Sequence, residues 1–432
     1  MKDSKVVNAW CLYDWANSVY SLTITSAIFP IYYQAVAVGK NDSDVITFFG
    51  VDIVNSVLYS YSLSFSFLLV AIMLPLLSGV ADYTGQKKQF LRFFMFVGSI
   101  SCIGLFFFKG SNIEWGIFCS IFASVGFSAS LVFYDAFLPE IAPPDQTDRI
   151  SAKGYSWGYI GGVILLIINL FTIEFWDTIG FADQGIATRF AFLTVGLWWI
   201  VFSLISLSYL PSNIYNRRPT GKILLNGYRE LRKVWNELKN LPWMRRYIFA
   251  FLFYNTGVQT VMYLAATFGS KELKLEASKL IMTVLIIQFV GVAGAYLFAF
   301  LSKKRGNIPS LLTMILIWVG VCISAYFVTT EVEFYILASV VGLVMGGIQA
   351  LSRATFSKLI PAGSIDHTSF FSFYDVTFNV SIVLGTFSYG LVEQITGSMR
   401  NSTLALASFF IIGLLVLLTV KVPHGKISAS KA

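Results

Sequence analysis

The sequence predicts an all-α membrane protein of twelve transmembrane helices arranged as two six-helix bundles, and three observations carry that prediction. Hydrophobic residues make up 56% of the 432 and charged residues only 12%, against roughly 25% charged in a soluble domain, and the mean hydropathy is +0.70. Apolar runs long enough to cross a bilayer, where about 20 residues are needed, recur along the chain. One long basic stretch, from Pro211 to Tyr247, interrupts them near the middle and holds nine of the 31 Lys and Arg residues. A water-soluble globule is excluded.

Taken in order, the apolar spans run over 13–36, 58–81, 90–108, 115–138, 155–174, 188–210, 247–268, 278–301, 309–328, 334–358, 370–392 and 403–421. Six lie on each side of the basic stretch, which divides the chain into an N-terminal bundle (1–210), a linker (211–246) and a C-terminal bundle (247–432). An even count puts both termini and the linker on one face. That face then collects 24 Lys and Arg against seven on the other, a bias that predicts cytoplasmic termini in the plasma (inner) membrane. The opening MKDSKVV has no cleavable leader pattern, so the first helix is expected to direct insertion.

Within the linker, Leu224, Tyr228, Leu231, Trp235 and Leu238 recur at steps of three and four, predicting an amphipathic helix on the lipid surface. Topology accounts for its basic charge without a nucleic-acid partner. Cys11, Cys102, Cys119 and Cys322 stand far apart in or beside apolar spans, as small packing residues do. His367 and His424 read as isolated loop residues, too scattered for a metal. No phosphate-cradling loop followed by Lys and Ser/Thr occurs, so gradients rather than ATP are the expected energy source, with no cofactor.

The halves also repeat. Pro139 and Pro361 each close a helix before a polar loop, 222 residues apart, and Gly85 and Gly306, in the turns after helices 2 and 8, are 221 apart. Two landmarks at nearly one offset point to duplication of a six-helix unit.

The turn after helix 2, with Ser78, Asp82, Gly85 and Lys87, resembles that of the major facilitator superfamily. Tyr13 to Ser18, Ala136 to Ala142, Gly158 to Gly162, Tyr254-Asn255 with Gly257 to Gln259, and Gln349 to Arg353 with Leu359 to Pro361 are similar to the unknown major facilitator group, related to fungal vacuolar autophagy-related amino-acid effluxers. The resemblance implies a secondary transporter, not an enzyme, with amino acids or small peptides as the first cargo and a drug or sugar-like solute as the alternative. It also implies that Asp82 latches the two halves. Lys303 stands where the second turn would carry an Asp, so the duplicate latch is expected to be lost.

Polar residues inside the spans are the functional candidates, because an ionisable group in hydrocarbon costs about 2.5 to 3.5 kcal/mol or more and persists where it faces a cavity or a partner. Asp14, Asp135, Arg353 and Asp375 sit within about two turns of the cytoplasmic helix ends. With Asp82 they are the gate or proton-coupling candidates. Neutral groups, Asn17, Thr25, Ser128, Asn255, Gln259, Tyr263, Gln349 and Asn379, are the cargo-binding candidates. Proton coupling through Asp14, Asp135 or Asp375 and a proton-independent uniporter both fit these residues. A lipid scramblase or membrane sensor is the reading from a different class. Gly154, Gly158 and Gly162 predict close helix packing. The chain is expected to act as a monomer.

Overall fold

The computed structural model describes residues 4–39, 43, 45–212, 223–361, 363–396 and 398–421. The chain begins with α1 (Ser4–Val19), a π-helical stretch (Tyr20–Ala27) and α2 (Ile28–Val36), followed by a hairpin of β1 (Val45–Phe48) and β2 (Val51–Val54). Long helices follow: α3 (Asn55–Thr84), α4 (Lys87–Leu105), α5 (Ile113–Asp135), a single turn α6 (Leu138–Ile141), α7 (Thr147–Glu174), another turn α8 (Trp176–Ile179) and α9 (Gln184–Tyr209). Past the linker come α10 (Ile223–Lys239), α11 (Pro242–Leu273), α12 (Ala277–Arg305), α13 (Asn307–Phe327), α14 (Glu331–Leu359), α15 (His367–Thr396) and α16 (Met399–Leu418).

Ten helices among the described residues are long and apolar enough to cross a membrane. The other two expected spans fall in α1 to α2 and in α11. The first is a run of pieces of 16, 8 and 9 residues, since the π stretch breaks the helix. The seventh lies in α11, which is 32 residues long and includes side chains outside the described residues. The outer surface is apolar, with Phe65, Leu68, Ile72, Phe93, Ile100 and Phe118 all exposed, the pattern of a body whose solvent is lipid.

Helices α1, α3, α4, α5, α7 and α9 pack among themselves, as do α11 to α16. The two groups meet where α3 lies on α15 and where α7 lies on α12 and α14. Gly85 (φ +70°) ends α3 and Gly306 (φ +89°) ends α12, each taking a backbone conformation that costs glycine little.

Two expectations change, at the hairpin and at His367, and α10 gains a neighbour. The hairpin is an addition to the helices expected: Phe49 and Gly50, at φ +47° and +82°, form a turn of the tight two-residue kind that suits hairpins. Helix α10 forms, but it buries Gly227, Val234 and Leu238 while Leu224, Tyr228 and Trp235 stay exposed. Gly227 lies so close to Gly79 and Val80 of α3 that a side chain there would collide with backbone, so one face of α10 seats on α3 and most of the apolar stripe stays on the outer surface. His367 starts α15 and is buried, its Nδ1 3.3 Å from Glu140 Oε1. His424 lies outside the described residues. All four cysteines are buried and free.

Candidate functional site: a polar cavity above a sealed floor

Between the two groups of helices lies a cavity of about 1440 Å³, counting the space open to solvent. The π stretch borders it. A π turn widens a helix by one residue and commonly occurs at functional sites; here it carries Ser21, Thr25 and Ser26 into the lining. Of the neutral candidates, Asn17, Thr25, Ser128, Gln259, Tyr263, Gln349 and Asn379 line the cavity, and Asn255 does not. Asn255 donates to Ser381 Oγ at 2.5 Å and accepts from Gln259 at 3.2 Å, so it ties α11 to α15 instead of facing the space.

The floor lies toward the end of the molecule where α1 begins and α16 ends. Arg353, on α14, is 1% exposed, and all five of its N–H groups are spoken for. Nε donates to Ser151 Oγ (3.0 Å), Nη1 to Asp135 Oδ1 (3.1 Å) and Asp14 Oδ2 (3.3 Å), and Nη2 to Asp14 Oδ2 (3.3 Å) and the Ser151 carbonyl (3.1 Å). Rings enclose the guanidinium, with Tyr155 at 4.1 Å and Trp10 at 4.7 Å, a geometry that adds cation–π attraction. Tyr134 donates to Asp14 at 2.7 Å. Gly154 makes room: a Cβ there would lie 2.6 Å from Asp14 Oδ2 and 2.8 Å from Trp10.

The network joins α14 to α1, α5 and α7, and so bonds one group of helices to the other. Just above it, Tyr159 on α7 donates to Gln349 on α14 at 2.7 Å. Asp375 borders the same floor but belongs to no ion pair among the described residues. It is 8% exposed, and its Oδ2 has no hydrogen-bond partner.

Two further contacts close the termini end. Asp82, at the last turn of α3, accepts from the backbone N–H groups of Ser369 (2.6 Å) and Thr368 (3.2 Å) at the start of α15. The expected loss of a second latch is corrected by Asp148, in the first turn of α7. It accepts from Ser302 of α12 (2.7 Å) and Asn307 of α13 (2.9 Å) and pairs with Lys358 of α14 (2.7 Å). Beside them Lys87 pairs with Glu140 at 2.5 Å. Sequence reasoning missed Tyr134, Tyr159, Ser151 and Asp148. Tyr134 had a local signal as the neighbour of Asp135, and Tyr159 as part of the Gly158 to Gly162 stretch; Ser151 and Asp148 had none.

Helices enclosing a polar cavity between two groups, with an ion-paired floor, define a class: a membrane transporter of the major facilitator superfamily. Solved structures of that class carry the same fold. The FucP transporter in its outward conformation matches with a TM-score of 0.71 at 11% identity, over 97% of this chain and 98% of that one. The XylE proton:xylose symporter matches at 0.72 and 12%, over 96% and 95%.

Within that class, a family model described as "Vacuole effluxer Atg22 like" matches residues 2–430, and the chain belongs to this family. It is 30% identical to the uncharacterized MFS-type transporter YxiO of Bacillus subtilis, over 96% of this chain and 94% of that protein. Autophagy-related protein 22 of Yarrowia lipolytica is 24% identical over 88% and 78%. Family and fold are those of transporters rather than enzymes.

Proposed function

We propose that the chain is a secondary transporter of a small solute working by alternating access, with twelve spans in two six-helix bundles, 1–210 and 247–432, rocking about the cavity. The termini and the linker face the cytoplasm from the plasma (inner) membrane, and the protein works as a monomer. The observation that carries this reading is the Arg353 network: a guanidinium of one bundle held by two carboxylates of the other at the cavity floor. In this conformation the cytoplasmic side is closed, and Arg353 leaves Asp14 and Asp135 when it opens, helped by release of Asp82 from α15. Asn17, Thr25, Ser128, Gln259, Tyr263, Gln349 and Asn379 contact the cargo. Amino acids or small peptides are the first cargo class, on the resemblance to the fungal amino-acid effluxers. Asp14 and Asp135, freed of Arg353 in the open state, are the sites for a coupled proton.

Removing one partner of a buried ion pair costs about 3–5 kcal/mol. Arg353→Gln is therefore expected to move the balance toward cytoplasmic opening by about a hundredfold or more and to cut transport in proteoliposomes. Spin-label distances across the cytoplasmic ends of α5 and α14 read the opening. An unchanged distance distribution together with unchanged transport would rule out the gate, and transport indifferent to a pH gradient would rule out the proton.

A further inference from the structure

The carboxylate that the gate leaves over carries an inference about cargo class, one that rests on reading the cavity as the cargo site. Asp14 and Asp135 share the one guanidinium at the floor. Asp375 has no such partner: no hydrogen bond or ion pair reaches it from any described residue, and its Oδ2 is buried. A buried carboxylate with no cation in hydrogen-bonding contact is costly, and this one borders a space large enough for a small solute. A second acceptor in the same lining, Gln288 Oε1 on α12, is also buried and unbonded. The lining therefore holds acceptors in want of a donor.

A negatively charged cargo finds one unbonded donor in the lining, the neutral Asn17 Nδ2, and no free cation among the described residues. Arg353 is the cation in the lining, and each of its N–H groups already has an acceptor. Counting Asp14, Asp135 and Asp375 against Arg353, the charged groups of the lining sum formally to minus two. Tyr159 and Phe378 share the lining, a composition that suits a cation. We propose that the cavity takes a small solute carrying an ammonium group, with Asp375 as the residue that receives it and Gln288 as a second acceptor. The apolar side chains of Phe67, Met262 and Met345, which line the same space, would cover the rest of the molecule.

The test uses four probes on one skeleton, 2-phenylethylamine, phenylalanine, 3-phenylpropionate and 2-phenylethanol, with binding to the full-length protein in lipid nanodiscs read by calorimetry and thermal shift. The amine and phenylalanine, which share the ammonium group, are expected to bind about tenfold or more tightly than the acid and the alcohol. Asp375→Asn is expected to weaken both by a similar factor, the range of a charge-assisted hydrogen bond, while leaving the alcohol's affinity unchanged. Asp375→Glu should recover part of the loss. The thermal midpoint without probe reports folding of each variant. Amine binding no tighter than that of the alcohol or the acid, or unaltered in Asp375→Asn, overturns the proposal; so does an Asp375→Asn variant whose single defect is lost response to a pH gradient. Transport separates the two readings. Amine bound through Asp375 with no solute moved across proteoliposomes would overturn the transporter and leave this site standing. Transport of the acid or of phenylalanine, untouched by Asp375→Asn, would do the reverse.

Discussion

The two closures at the termini end occupy equivalent places in the two repeats, yet they are built with opposite polarity. In one, a turn between helices supplies the carboxylate, Asp82, and the start of α15 supplies backbone donors. In the other, the start of α7 supplies the carboxylate, Asp148, and the turn between α12 and α13 supplies the donors, Ser302 and Asn307, joined by Lys358 of α14. What both keep is a negative charge at the first turn of a helix, where the macrodipole favours it. Two matching groups of helices can thus keep a contact while exchanging which side brings the charge, and the Lys at position 303 does not leave that end without a carboxylate contact.

The difference in construction predicts a difference in strength. Asp148→Ala leaves Lys358, whose side chain is 8% exposed, beside two donors with no carboxylate. Breaking a buried ion pair in this way costs about 3–5 kcal/mol, so the largest effect is expected here: a clear fall in the thermal midpoint and a wider α7 to α14 distance by spin labels. A double-mutant cycle with Lys358→Ala should return a coupling of about 1 kcal/mol or more. Zero coupling would mean that Asp148 does not hold Lys358, and the opposite-polarity latch would have to be abandoned.

Asp82→Asn should cost less. The asparagine keeps one acceptor oxygen, and the partners are backbone amides, so no buried charge is stranded. Loss of the charge at a helix start is worth about 0.5–2 kcal/mol, which would show as a modest rise in the open population with little change in midpoint. A penalty for Asp82→Asn exceeding that for Asp148→Ala would invert the comparison.

How far these contacts are visible in the sequence follows from their chemistry. Charged residues in apolar runs are rare enough to stand out, which is why Asp14, Asp135 and Arg353 can be singled out from the order of residues alone. Asp82 is legible through its turn motif. Asp148 is not, because it sits in a polar loop with ordinary spacing and its partners lie 154 to 210 positions away. Asn255 shares a helical face with Gln259, and spacing cannot tell a face toward a cavity from one toward Ser381. Asp375 stands out as an ionisable residue, but its lack of a partner is a property of three dimensions. The hairpin is hard to read because Phe49-Gly50 is a weaker turn signal than Asn-Gly or Asp-Gly.

The smallest effect is expected at a third tie across the same end, where Lys233 of α10 donates to Asp366, just before α15, at 2.7 Å. The lysine side chain is 52% exposed, so water and salt screen the pair, and exposed pairs contribute about 0.2–1 kcal/mol. The hydrogen bond to Asp366 raises the pKa of the Lys233 ammonium. A raised cationic pKa gives stability that is fully present below the ordinary lysine value of about 10.4 and lost only as pH climbs through the raised one. Lys233→Ala should therefore change the midpoint slightly, by the same amount at mildly acidic as at neutral pH, and less in high salt. A loss as large as that of Asp148→Ala, or one insensitive to salt, would show that α10 clamps the bundles through more than this pair, with the ring contact of Trp235 on Phe373 at 5.4 Å as the next residue to remove.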